Sequence, residues 1–213
     1  MTNLLPPDTS GNVTTTSRPD EKEDGRSLRR QRNRDAVIRS LIELIREGDL
    51  APTVGRIADR AELSHRSVFR YFDDLDDLAR TAIETEFRES HSLSIVADVG
   101  LGTLTERIDR LVDASLVTLD RTHLLGLAAR ARAQEIAEVD QGLTLIFQLH
   151  FDQIRAHFAP ELASMEPDMA DAIANSIAIT TWLDSYDLLH RTFGRSVDDI
   201  SAMWRTTLRV LLT

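Results

Sequence analysis

The stretch TVGRIADRAELSHRSVFRYFDDLDDL, residues 53–78, decides how this chain is read. Val54, Ile57, Ala58 and Ala61 recur at helical spacing, which gives a first short helix one small, apolar face. Pro52 stops any helix entering from upstream, and the hydroxyl of Thr53 is a natural N-cap. Ser64 is the next N-cap, opening a second helix expected to run to about Tyr71 with Val68 and Phe72 inward. Ala58 lets the two helices approach closely, the turn falls four residues later at Glu62, and Val68 fills the gap ten residues after Ala58. This is helix-turn-helix spacing, in which the second helix can enter a DNA major groove.

The outer face of that second helix suits the role. His65, Arg66, Ser67, Phe69 and Arg70 point away from Val68 and Phe72, with no acid among them. Arg66 and Arg70 are one turn apart, so both guanidiniums address the same groove or its flanking phosphates. The plainer alternative is a short helix in an ordinary bundle with a solvated basic face.

The segment IADRAELSHRSVFRYFDDLDDL resembles the recognition segment of TetR-type transcriptional repressors through Ile57, Ala58, Ala61, Ser64, Tyr71, Phe72 and Leu78, with Leu63 and Val68 as apolar equivalents. Upstream, RRQRNRDAVIRSLIELIREGDLAPTV fits the first helix of that domain. The resemblance covers about residues 30–78 specifically and extends beyond only through length and an all-helical pattern. It departs from the family at three places. Glu62 occupies a turn position usually held by glycine, where a Cβ is costly if φ is positive. Phe69 replaces a tyrosine and lacks its hydroxyl, and Leu75 replaces a lysine that meets the operator backbone. Arg29, Arg30, Arg32 and Arg34 are expected to compensate for the lost phosphate grip.

Composition sets the outer bounds. The 213 residues suffice for a substantial core, and no cysteine is present for disulfides or thiolate metal sites. No apolar run is long enough for a membrane span, and the first residues lack signal-peptide order. The expectation is a soluble, cytoplasmic protein without a membrane partner. The net charge of −10 is unevenly spread. Residues 26–80 carry 12 Arg against 10 acids (+2), residues 81–213 carry 11 Arg against 20 acids (−9), and residues 1–25 supply −3. A slightly basic N-terminal part on an acidic body favours oriented docking on DNA.

Residues 1–26 read as a disordered tail, poor in large apolar groups. A helix is expected over residues 27–47, with the Arg29–Arg34 cluster at its front end, where cations oppose the helix dipole, and with Gly48 as its stop. A longer helix is expected from Asp76 to about Val96, broken by Gly100 and Gly102. Further helices are expected over residues 104–119, 122–134, 137–158, 167–192 and 196–212, with no sheet. The predicted fold is all-α: a three-helix DNA-binding domain over residues 27–75, then a helical ligand-binding and dimerisation domain over residues 76–213.

The last two helices carry apolar residues on several faces, which predicts burial on several sides. Ile177, Trp182, Ile200, Trp204 and Leu208 are therefore candidates for a homodimer interface, against the alternative that they close the protomer core. Mixed aromatic and polar residues, Phe147, His150, Phe151 and Thr181, are the candidates for a small-molecule effector cavity such as the resemblance implies. His150 and His157 share a helix face but stand roughly 10 Å apart, too far for one metal ion. No nucleophile elbow, phosphate loop or zinc-protease motif occurs, so neither an enzyme nor a cofactor is expected.

Taken together, these readings predict a homodimeric TetR-like regulator, a repressor, on palindromic double-stranded operator DNA, released by a small-molecule effector. Thr53, Ser64, Tyr71 and the Arg29–Arg34 cluster would hold the DNA backbone while His65, Arg66, Ser67 and Arg70 read bases. The rival reading is a helical ligand-binding or scaffolding protein with a degenerate helix-turn-helix.

Overall fold

The computed structural model describes residues 19–213, and every regular element among them is helical. The helices are α1 Pro19–Arg46, α2 Val54–Arg60, α3 His65–Val68, α4 Leu75–Ser90, α5 Leu104–Ala133, α6 Ala137–His157, α7 Ala159–Leu162, α8 Pro167–Thr180, α9 Leu183–Asp187 and α10 Val197–Leu212. A 3₁₀ turn, His91–Leu93, follows α4, and a π turn, Leu188–Thr192, follows α9. The tail expected over residues 1–26 lies outside the described residues up to residue 18. From Pro19 onward the chain is helix, eight residues earlier than the expected start. The arginines of α1 thus sit mid-helix, and the dipole conflict expected of them does not arise.

Two apolar cores organise these helices. The first gathers Val37, Leu41 and Leu44 of α1, Val54, Ile57 and Ala58 of α2, Val68 and Phe72 around α3, and Leu78 and Ala82 of α4. The second gathers Ile108, Leu111 and Leu116 of α5, Ile154 of α6, Ala174 and Ile177 of α8, Tyr186 of α9 and Ile200, Trp204 and Leu208 of α10. Helix α5 belongs to both, because Leu125 and Ala128 near its C-terminal end join the first core. Its 30 residues span about 45 Å.

That sharing explains one departure from the sequence reading. The break expected between residues 119 and 122 is absent: α5 runs through it. Its apolar stripe changes partner there, from the second core at Leu119 to the first at Leu125, so the interrupted periodicity marks a handover between cores and not a loop. The opposite error occurs at residues 167–192, where one long helix was expected. The chain breaks at Thr181 and Trp182, whose ψ of 165° is extended. This break turns the Trp182 ring against Phe147 (centroids 5.1 Å) and His150 (5.6 Å) of α6. Helix α4 also ends earlier than expected, at Ser90, well before Gly100.

Ile177, Ile200, Trp204 and Leu208 are all buried within the protomer. Their assignment to a dimer interface is corrected accordingly: the apolar faces that suggested it close the second core. Trp182 is half-buried and belongs to a cavity wall. The large apolar side chains still exposed on α8 and α10 are others, namely Met169 and Ile179, and Met203 and Val210, with Val210 73% and Ile179 63% exposed.

Candidate nucleic-acid interface and effector cavity

Helix α2 begins at Thr53, whose Oγ1 accepts the Arg56 N–H at 3.4 Å. It ends with the Leu63 N–H donating to the Ala58 carbonyl at 2.9 Å and the Glu62 N–H to that of Asp59 at 3.2 Å. This closing pattern needs a left-handed residue between helix and exit, and Glu62 provides it at φ 55°. A non-glycine residue is thus held where glycine is favoured. Ser64 then caps α3: its Oγ accepts the Ser67 N–H at 3.2 Å and lies 2.9 Å from Ser67 Oγ.

Helix α3 is one turn long, shorter than expected. The chain continues past it in tighter turns, with the Tyr71 and Phe72 N–H groups both bonded to the Val68 carbonyl. Val68 and Phe72 are buried as anticipated, and His65, Arg66, Phe69 and Arg70 are exposed. Phe69 is 48% exposed, with its ring 5.7 Å from that of His65. An aromatic side chain left in solvent between two arginines is not explained by packing.

The arginine-bearing part of α1 is fastened beside this surface. Asn33 Nδ2 donates to Tyr71 Oη at 3.1 Å, and Arg34 lies over the Phe72 ring at 4.9 Å. Arg70 lies over Tyr71, also at 4.9 Å, and donates to the same Oη at 2.6 Å. Burial works to raise the Tyr71 phenol, but the Asn33 and Arg70 bonds and the charges of Arg70 and Arg30 outweigh it and hold its pKa below the usual value. Tyr71 and Arg70 are therefore engaged with each other and Arg34 with Phe72, while Arg30, Arg32 and Arg66 make no hydrogen bond or ion pair among the described residues. Arg29 bonds the Gly25 carbonyl of its own helix at 3.1 Å. Leu75 packs against the first core.

The second site lies between α4, α5, α6 and the Thr181–Trp182 break. Two adjoining chambers share Phe87, Ser94, Thr118, Leu119, Ile146 and Trp182 in their walls, with volumes of about 140 and 260 Å³. His150 and Thr181 line the larger one, as the sequence suggested, and their side chains meet at 2.9 Å. Thr181 Oγ1 also donates to the Ile177 carbonyl at 2.9 Å, so it accepts from His150 Nε2–H. Burial drives the His150 pKa down to about 4, which keeps the ring neutral near pH 7. Phe147 instead faces a separate open cleft with Arg130 and Asp140, and Phe151 packs on the second core beside Arg155. Neither lines the chambers.

One residue that the sequence did not single out is central here. Glu86 of α4 lines the smaller chamber and is buried, 4% exposed. It receives Arg46 of α1 at 2.7 Å, Arg121 of α5 at 3.3 Å and the Ser90 hydroxyl at 2.8 Å. A glutamate one helical turn from Ser90, at the buried edge of an apolar stripe, was the only signal in the sequence.

Among the described residues no cluster of His, Asp or Glu is arranged to hold a metal ion, and no helix is long and apolar enough to cross a membrane. No protein-family model matches the chain, and no curated protein is significantly similar to it.

Proposed function

We propose that this chain is a TetR-like transcriptional regulator that binds operator DNA as a homodimer and answers to a small-molecule effector. The observation that carries this reading is the convergence of two elements. The arginine segment of α1 is fastened by Asn33 and Arg34 beside a surface that exposes Arg66, Phe69 and Arg70. Arg66 and His65 address base edges and Phe69 offers an apolar edge to a thymine methyl, while Arg30 and Arg32 reach the phosphates. Tyr71 and Arg34 hold the α3 exit against α1 and so position that surface. The basic charge of residues 26–80 against an acidic body orients the approach.

Dimerisation rests on Met203 and Val210 of α10 and on Met169 and Ile179 of α8, two neighbouring helices whose outer faces carry exposed apolar side chains. Coupling rests on Glu86, which borders the cavity and also bonds both α1 and α5. An effector that shifts α4 alters this junction and the spacing of the two α3 surfaces, which must match one DNA turn of about 34 Å. The reading stands against a helical ligand-binding or scaffolding protein with a degenerate helix-turn-helix, favoured by the shortness of α3 and by the engagement of Arg70 with Tyr71.

Arg66→Ala separates the two. A DNA reader loses about 1–3 kcal/mol of operator affinity on losing one specific contact, measured by fluorescence anisotropy. If the scaffold reading holds, DNA binding is unchanged.

A further inference from the structure

The cavity beside Trp182 contains enough chemistry to define what enters it. We propose that its two adjoining chambers take one uncharged, mainly apolar molecule whose hydroxyl is held between His150 Nδ1 and Ser115 Oγ. This inference rests on the effector cavity of the proposed regulator and adds the chemical class of the ligand.

Charge is excluded by how the lining's polar groups are already used. The carboxylate of Glu86 is matched by Arg46 and Arg121, and Arg121 also reaches Glu89 at 3.6 Å. Among the described lining residues, an incoming carboxylate would therefore meet no unmatched cation, and an ammonium no unmatched anion. Desolvating either ion without a counter-charge is strongly unfavourable. His150 supplies no positive charge near neutral pH, since burial keeps it deprotonated.

Among the described lining residues, the same accounting leaves His150 Nδ1 and the Ser115 hydroxyl over. Gln153 spends its amide on the Val96 N–H and the Ser94 carbonyl, both at 2.8 Å. Thr118 and Thr122 each donate to the carbonyl four residues back along α5. Thr181 donates to Ile177 and accepts from His150 Nε2, which fixes the imidazole tautomer and leaves Nδ1 an acceptor. His150 Nδ1 and the Ser115 hydroxyl make no hydrogen bond among the described residues, and both residues line the larger chamber. An acceptor and a hydroxyl together match one ligand group that both donates and accepts, as an alcohol or phenol does. The shared walls of Phe87, Leu119, Ile146 and Trp182 take the hydrocarbon.

The test compares 1-decanol, decanoate and decylammonium, three probes with the same chain and different heads, on the full-length protein at pH 7 without DNA. Trp182 is one of only two tryptophans, so its fluorescence reports occupancy directly. Decanol is expected to bind saturably and at least 10-fold more tightly than either ion. Ser115→Ala should weaken decanol about 3- to 10-fold, the worth of one hydrogen bond, with thermal stability unchanged. His150→Phe, which keeps an aromatic ring but removes Nδ1, should do the same. Decanoate or decylammonium binding as tightly as decanol overturns the proposal, as does decanol failing to saturate below its solubility limit or binding both variants like the parent chain. A parallel anisotropy titration of the DNA complex keeps the two claims apart. Decanol that binds with the stated preference but leaves DNA affinity unchanged counts against effector control alone. DNA release by decanoate counts against the ligand class alone.

Discussion

Glu62 occupies a backbone conformation that glycine reaches without cost, at φ 55°. The left-handed region costs an L-residue about 1–2 kcal/mol, part of which glycine would return as extra unfolded-state entropy. Glu62→Gly is therefore expected to stabilise the chain by about 1 kcal/mol, read as a higher urea midpoint at unchanged slope. No gain would mean that the α2–α3 turn relaxes around the side chain. Two histidines make an acid-side prediction. His157 is fully buried; its Nδ1 accepts the Gly100 N–H at 3.3 Å, so Nε2–H donates to the Arg107 carbonyl at 2.9 Å. Burial first, then the Arg110 and Arg107 charges, push its pKa down, against the opposing Arg107 carbonyl and Glu161. The His150 pKa, down to about 4, shifts the same way. Both folded values lie below the unfolded one, so the unfolded chain binds more protons in acid. The stability these rings contribute is complete above about pH 6.5 and is lost as pH falls from there toward the folded values. A urea midpoint that drops between pH 7.5 and 5, and drops less in a His150→Phe, His157→Gln double variant, is the expected result. At this scale the sequence revealed the caps Thr53 and Ser64, the inward Val68 and Phe72 and the outward Arg66. It did not reveal that Tyr71 would be taken up by Asn33, 38 residues away, because that bond depends on how α1 crosses the turn.

Between α2 and α3 the decisive quantity is approach distance. Ala58 is 2% exposed and shares the first core with Val68, where a small residue lets the two helices approach closely. Ala58→Leu adds three carbons to that contact and is expected to cost about 1–3 kcal/mol, or more if α3 is expelled from its seat. Chemical denaturation measures the loss, and a variant as stable as the parent would show that the two helices are not held in close contact. Helix positions within this segment were legible because caps and apolar spacing are local signals. The long helices were harder. Helix α5 changes the core it serves between Leu119 and Leu125, and periodicity alone reads a change of partner as a break. The break at Thr181–Trp182 carries no proline or glycine, and it is set by the packing of Trp182 on α6. Neither cause is visible within a window of one or two helical turns.

Across the whole molecule, two cores joined by one 30-residue helix place an exposed basic surface at one site and an apolar cavity at another, with Glu86 bonded across the junction. The all-helical class was legible from periodicity, and half of the cavity residues named from sequence, His150 and Thr181, line it. The dimer candidates failed because apolar residues on several helix faces signal burial without saying by what. Ile177, Ile200, Trp204 and Leu208 are covered by their own chain, while Val210 and Ile179 stay exposed. The central claim is sequence-specific DNA binding by the α1–α3 surface. Its most direct measurement is a fluorescence-anisotropy titration against the DNA flanking the protein's own gene, with scrambled DNA as competitor, at two salt concentrations. The account predicts binding that survives the competitor, saturates at two protomers per site and weakens with salt as phosphate contacts are screened. Weak binding that scrambled DNA competes away equally would contradict it.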